Sequence, residues 1–258
     1  VPRAPGDAPR LRLLCLHGFR QSGASLAGHL ASLRRRLSAD VDFLFLDAPH
    51  TLPPPASLRG RASPHEPSRP RRAWLLTPAD AAWSAACDAA AAAGAPLPEP
   101  PPLPAPMAGG AAGEHPFEAQ SAGWDESLAV VTAALRCHAP VHGMLGLSQG
   151  AAVAAAVAAS CADASGVVPL QLLWLAGGFV PAAPAGTALL GGAPLRLRSL
   201  HVFSGDAHVS AAASEALAAR FSAPTLLRHA AGHLLPSGAA DADAYAAWLR
   251  CCTPSEPG

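Results

Sequence analysis

At 258 residues the chain is long enough to bury a substantial core. Its formal net charge is zero and charged residues make up 14% of it, which removes the electrostatic case for a nucleic-acid partner. Lys, Ile and Asn are absent while Ala, Pro, Gly and Arg abound, a usage that reads as codon bias from a GC-rich genome, so the preference for Arg carries little chemical meaning.

Leu11 to Leu16 reads as a short buried strand that runs into a His17-Gly18 turn. Leu26, Leu30, Leu33 and Leu37 recur at spacings of four, three and four, one apolar face of a helix over Ser25 to Leu37. Val41 to Leu46 is a second strand, ended by Asp47-Ala48-Pro49. From about 51 to 113 Pro and Ala dominate, a low-complexity insertion that cannot supply a packed core and is partly disordered or lid-like. Within it, Trp74 and Trp83 point to a small part docked on the body. Trp124 to Leu135 is helical. Val141 to Leu147 is a strand, and the alanine-rich run from Ala151 to Ala159 is a helix. Strands follow at Leu170 to Leu175, Leu200 to Phe203 and Leu226 to His229. Helices follow at Ser210 to Phe221, with Ser210 as N-cap, and at Asp241 to Cys251.

Short, nearly continuous apolar strands alternating with helices predict a single α/β domain over 1–258, its mostly parallel sheet covered on both faces. Ligands of such sheets bind beyond the carboxyl ends of the strands. The six cysteines show no C-x-x-C spacing and read as small buried hydrophobes in a reducing, cytoplasmic compartment. No apolar stretch is long enough for a membrane span, and the oligomeric state is left open.

Gly146-Leu147-Ser148-Gln149-Gly150 sits between the apolar run from Val141 to Leu147 and the alanine-rich helix. In that context G-x-S-x-G is a nucleophile elbow: a serine on a strained strand-to-helix turn, with glycines where a Cβ would clash. A serine hydroxyl needs an adjacent base. His233 follows the last strand and precedes the last helix, the place that chain order Ser, Asp, His gives the base. The orienting carboxylate must then come from Asp163, Asp206 or Glu215. Asp163 ends the elbow helix and Glu215 is mid-helix, whereas Asp206 directly follows a strand, so Asp206 is the choice. His208, two residues on, reads as a loop residue. Two backbone N–H groups complete the set as oxyanion donors, those of Phe19 in the loop after the first strand and of Gln149 after the nucleophile. His229 and His233, four apart, do not read as a metal site, because Gly232 interrupts a helix and no Glu follows His229.

These residues together resemble the FSH family of serine hydrolases. The matching runs are Leu14 to Ser22, Asp47 to His50, Arg72 to Trp74, Glu126 to Leu128, Gly143 to Ala152, Leu200 to Phe203, and Gly232-His233 with Pro236. The resemblance implies an α/β-hydrolase fold, a Ser-Asp-His triad and hydrolysis of carboxylic esters with medium or long acyl or alkyl chains, without a cofactor. It carries the nucleophile onto Ser148 and the base onto His233. At the acid the match shifts by about one residue, since Asp206 directly follows Gly205 and the usual proline after it is missing. The expected substrate is a small-molecule ester. An acyl thioester is the alternative, and a non-catalytic ligand-binding protein on a hydrolase scaffold is the alternative of another class.

Overall fold

A computed structural model of the chain describes residues 10–52, 71–96, 98, 120–163, 169–181, 184–206 and 208–252. The strands are β1 (Leu11–Leu16), β2 (Val41–Leu46), β3 (His50–Leu52), β4 (Arg71–Ala73), β5 (Gly143–Leu147), β6 (Leu172–Ala176), β7 (Arg198–Phe203) and β8 (Pro224–Arg228). The helices are α1 (Gly23–His29), α2 (Ala31–Arg36), α3 (Pro78–Ala92), α4 (Trp124–Cys137), α5 (Gln149–Asp163), α6 (Pro184–Leu190), α7 (Ala211–Ala218) and α8 (Ala239–Arg250).

Six strands form one sheet in the order β2-β1-β5-β6-β7-β8, every pairing parallel. Parallel pairing leaves no room for tight hairpins, so helices cross over the two faces and bury both. One face packs on α4 and α5 through Val131, Leu135 and the Ala151–Ala159 run. The other packs on α1, α2 and α8 through Leu26, Leu33, Tyr245 and Leu249. Alanine suits α5 because its small side chains let the helix backbone lie close to β5 and β6, and all nine residues from 151 to 159 are buried. Strand order runs outward in opposite directions from β1 and β5. The crevice between their carboxyl ends is therefore the topological switch point, where such sheets bind ligands.

The anticipated first helix is two. Its backbone leaves helical geometry at Leu30 (φ −90°, ψ 9°), two residues after the poor helix former Gly28. The apolar face survives the break, with Leu26, Leu30, Leu33 and Leu37 all buried. Ser210 caps α7 as expected, its side chain accepting from the Ala213 N–H.

Part of the Pro/Ala-rich stretch is docked on the body, as Trp74 and Trp83 suggested, although the composition of the stretch as a whole predicts no packed core. Residues 73–76 inside it are core: Ala73, Trp74 and Leu75 have no exposed surface, and β4 pairs antiparallel with β3. The apolar run Ala73 to Leu76 supplies what the surrounding composition lacks. Trp83, on α3, is buried as well and donates to the Pro98 carbonyl at 3.3 Å. The rest of the expectation of disorder or of a lid falls on 53–70, 97 and 99–113, which lie outside the described residues.

Candidate active site

β5 ends directly under Ser148, which takes a left-handed backbone conformation (φ 55°). For a non-glycine residue that conformation is strained, and the surroundings must enforce it. Here the Ser148 N–H donates to the Ala176 carbonyl at 2.7 Å, and α5 begins at the next residue. The two flanking glycines are sterically obligatory. A Cβ on Gly146 would lie 2.5 Å from Ala151 Cα and from the Gly150 carbonyl oxygen. A Cβ on Gly150 would run into the carbonyls of Leu16 and His17 at the end of β1. The turn thus presses the start of α5 against the neighbouring loop.

That loop is held from several sides. The Gln21 N–H donates to the Gly18 carbonyl at 3.2 Å, the Gly18 N–H donates to Gln21 Oε1 at 2.9 Å, and Arg20 between them is left-handed (φ 60°). A Cβ on Gly18 would sit 3.5 Å from Ser148 Cβ, so the loop lies directly beside the serine. Among the described residues neither the Phe19 N–H nor the Gln149 N–H has an intramolecular acceptor. The Gln149 N–H also lies at the N-terminus of α5, where the helix dipole favours negative charge.

His17 is structural. It is fully buried, Nδ1 donates to the Gly18 carbonyl at 2.8 Å, and Nε2 accepts from the Ala48 N–H at 3.1 Å. Burial keeps its pKa below the ordinary value, in keeping with this neutral tautomer joining the loops after β1 and β2.

Asp206 follows β7, and His233 lies in the turn between β8 and α8. Their side chains meet with His233 Nδ1 3.2 Å from Asp206 Oδ2. The other carboxylate oxygen accepts the N–H groups of His208 at 2.7 Å and Val209 at 3.0 Å. Burial works to raise the Asp206 pKa, but those two backbone donors and His233 outweigh it and leave it lowered. For His233 burial is the largest influence and lowers its pKa; Asp206 opposes it without cancelling it. Gly177 (φ 54°) makes room for this ring, since a Cβ there would approach His233 Cε1 to 3.1 Å.

Ser148 and His233 open on one cleft of about 210 Å³, walled by Gly18, Phe19 and Gln21 on one side and by Leu147 and His208 elsewhere. No hydrogen bond joins the Ser148 and His233 side chains in this structure. Such contacts are often long before substrate binds. The other carboxylates stand apart. Glu215 pairs with Arg228 at 2.7 Å on the surface, and Asp163 closes α5 at its far end. His229 Nδ1 accepts the Ala231 N–H at 3.1 Å, a turn contact.

Two contributions escaped the sequence reading. His208 reads as a loop residue, yet it forms part of the cleft wall, its ring 5.2 Å from that of His233. The Gln149 side chain binds the 74–75 segment: Oε1 accepts the Trp74 N–H at 2.7 Å, and Nε2 donates to the Leu75 carbonyl at 2.8 Å and to Gln120 Oε1 at 2.6 Å. A polar residue between Ser148 and Gly150, inside an otherwise apolar run, is the one signal that could have flagged it.

A parallel sheet covered on both faces, with a left-handed serine between strand and helix at the switch point, defines an α/β-hydrolase. Solved structures share the fold. Arabidopsis thaliana SOBER1 superposes with a TM-score of 0.55 at 15% identity, over 95% of this chain and 99% of that one. Zea mays acyl-protein thioesterase 2 does so with 0.53 at 20% identity, over 97% and 96%. The chain belongs to the family described as Serine hydrolase (FSH1), whose model matches residues 8–245. It is similar to esterase OVCA2 of Homo sapiens, 32% identical over 93% of this chain and 95% of that protein. It is also 29% identical to rhodanese-like domain-containing protein 6 of Arabidopsis thaliana over 95% of its own length, and spans 40% of that longer protein. Among the described residues no helix is long and apolar enough to cross a membrane.

Proposed function

We propose that the protein hydrolyses carboxylic esters through an acyl-enzyme intermediate, with Ser148 as nucleophile, His233 as general base and Asp206 as the carboxylate that orients it. The observation that carries the reading is the Asp206–His233 contact at the sheet's carboxyl edge, opening on the same cleft as the strained Ser148. With Nδ1–H given to Asp206, the tautomer leaves Nε2 as the free basic nitrogen. It takes the proton from Ser148 Oγ as that oxygen attacks the ester carbonyl. The N–H groups of Phe19 and Gln149 receive the oxyanion. The tetrahedral species collapses as His233 returns the proton to the leaving alcohol, and water then attacks the acyl-serine by the same route to release the acid.

Phe19 and Leu147 supply apolar wall, which favours a hydrocarbon acyl group of medium or greater length, its outer part running onto the exposed Leu234 beside the base. The cysteine spacing, which contains no C-x-x-C pair, favours a reducing compartment such as the cytoplasm.

A fluorophosphonate probe tests the core of this reading. Labelling of the wild type that disappears in Ser148→Ala is the expected result; a folded wild type that stays unlabelled refutes the enzyme reading. Asp206→Asn keeps the size of the side chain but reverses its hydrogen-bonding role, and turnover should fall about 10³–10⁴-fold. Near-normal turnover rejects Asp206. A matched pair of oxygen and thiol esters separates esterase from thioesterase, and an ester chain-length series tests the length preference.

A further inference from the structure

Ser204 lies immediately after β7 and is only 8% exposed. Its Oγ is 3.2 Å from Asp206 Oδ2 and 2.9 Å from the Gly232 carbonyl oxygen. The two acceptors belong to different loops, one after β7 and one after β8. One is the carboxylate oxygen that meets His233, and the other is the carbonyl of the peptide bond leading into His233 itself. A serine hydroxyl has a single proton, so the two bonds form one three-centre donation between the loops.

The division of labour on the carboxylate sharpens the point. Oδ1 is committed to the His208 and Val209 N–H groups, which hold the Asp206 loop in its own shape. Oδ2 alone faces the histidine, and its two donors are His233 Nδ1 and the Ser204 hydroxyl. On the far side, Gly232 is left-handed (φ 80°) and its carbonyl also accepts from the Leu234 N–H at 2.9 Å. The hydroxyl therefore touches both ends of the Asp206–His233 contact.

We propose that Ser204 is a positioning residue: its hydroxyl ties the acid-bearing loop to the histidine-bearing loop, fixing the attitude of His233 toward Ser148 and its basicity. The inference rests on the reading of Asp206 and His233 as acid and base. Removing the hydroxyl takes one donor from Oδ2, which concentrates the negative charge that faces the imidazole and stabilises its protonated form. It also frees the Gly232 carbonyl from the acid loop, so the ring is less well aimed. The charged groups against His233 are Asp206 and, when protonated, His208, and neither is changed by the substitution.

The test compares Ser204→Ala and Ser204→Thr on an ester that the wild type turns over, with kcat, KM, the pH profile of kcat/KM and the thermal midpoint measured for each. The expected result for Ser204→Ala is a fall in kcat of about tenfold, the size of one lost bond to a charged group, with KM within about twofold. The acid limb of kcat/KM, which reports the free enzyme's base, moves to higher pH. Ser204→Thr, which keeps the hydroxyl, returns kcat and the acid limb toward wild type. If Ser204→Ala does not fold, Ser204→Cys, close in size but a weak donor, takes its place. An alanine variant with kcat within twofold and an unmoved acid limb overturns the inference, whatever its thermal midpoint. Asp206→Asn measured in parallel separates the two claims. If it is active, the acid–base reading has failed; if it is inactive while Ser204→Ala behaves as wild type, only the role of Ser204 has failed.

Discussion

Replacing Gln149 with Leu tests whether the residue after Ser148 holds the site together through its side chain. The carboxamide is completely buried and makes three hydrogen bonds, to the Trp74 N–H, the Leu75 carbonyl and Gln120 Oε1. Leucine has nearly the same volume and none of the polar atoms, so packing is kept and three buried groups lose their partners. An unsatisfied buried group costs about 1–3 kcal/mol. Because Gln120 is a side chain that can turn away, two uncompensated backbone groups are the safer count, which gives about 2–6 kcal/mol. That is a large part of the 5–15 kcal/mol of a typical domain. The backbone N–H of position 149 is untouched by the change, so an oxyanion role would persist in whatever fraction remains folded. Urea denaturation at pH 7 measures the loss, and fluorophosphonate labelling at low denaturant measures the surviving site. A midpoint shift worth less than about 0.5 kcal/mol, the size of an ordinary surface substitution, refutes the claim that this side chain fastens the 74–75 segment to the elbow.

Three further outcomes follow from the same structure. His201 is buried on β7 against Phe221, and burial lowers its pKa from 6.5 to about 4. The unfolded chain therefore takes up this proton first as pH falls, and stability contributed above pH 6.5 is lost on the way down to pH 4, about 3 kcal/mol in all at 1.36 kcal/mol per unit. Denaturation of wild type and His201→Phe at pH 7, 5.5 and 4.5 should show the wild type losing more; parallel curves contradict the assignment. Gly150→Ala should cost about 1–3 kcal/mol from overpacking and weaken probe labelling of the serine, because its Cβ meets the main chain of Leu16 and His17. A variant of wild-type labelling and stability refutes the steric argument. Since burial lowers the His233 pKa below its ordinary 6.5, the acid limb of kcat/KM should lie below pH 6.5, activity failing as pH falls through it. A limb above that value speaks against His233 as the base.

Much of this architecture was legible before any coordinates. Strands β1, β2, β5 and β6 are short, mostly apolar runs, whereas β3 (His50–Leu52) and β4 (Arg71–Ala73) carry no such signal, and each of the two glycines at the elbow has a steric reason visible in the pattern alone. Asp206 could be chosen over Asp163 and Glu215 because position after a strand is a property of the chain, and the structure puts its carboxylate 3.2 Å from His233. Element ends were less legible. The strand expected from Val141 begins at Gly143, and the helix expected to run unbroken from Ser25 to Leu37 divides at Leu30. Local apolar spacing does not register a backbone that leaves helical geometry for a single residue.

The sequence by itself determined the parallel α/β plan, the strained serine and the chain order in which Asp206 and His233 follow it, since these depend on periodicity, glycine placement and chain direction. Only the tertiary structure decided how the Trp74 segment joins the core, that the Gln149 side chain fastens it there, that His208 walls the cleft, and that Ser204 touches both Asp206 and the peptide before His233. Those are contacts between residues 28 to 75 positions apart, or between loops whose own composition is unremarkable. No local propensity encodes them. They arise when the sheet brings the carboxyl ends of β1, β5, β7 and β8 along one edge.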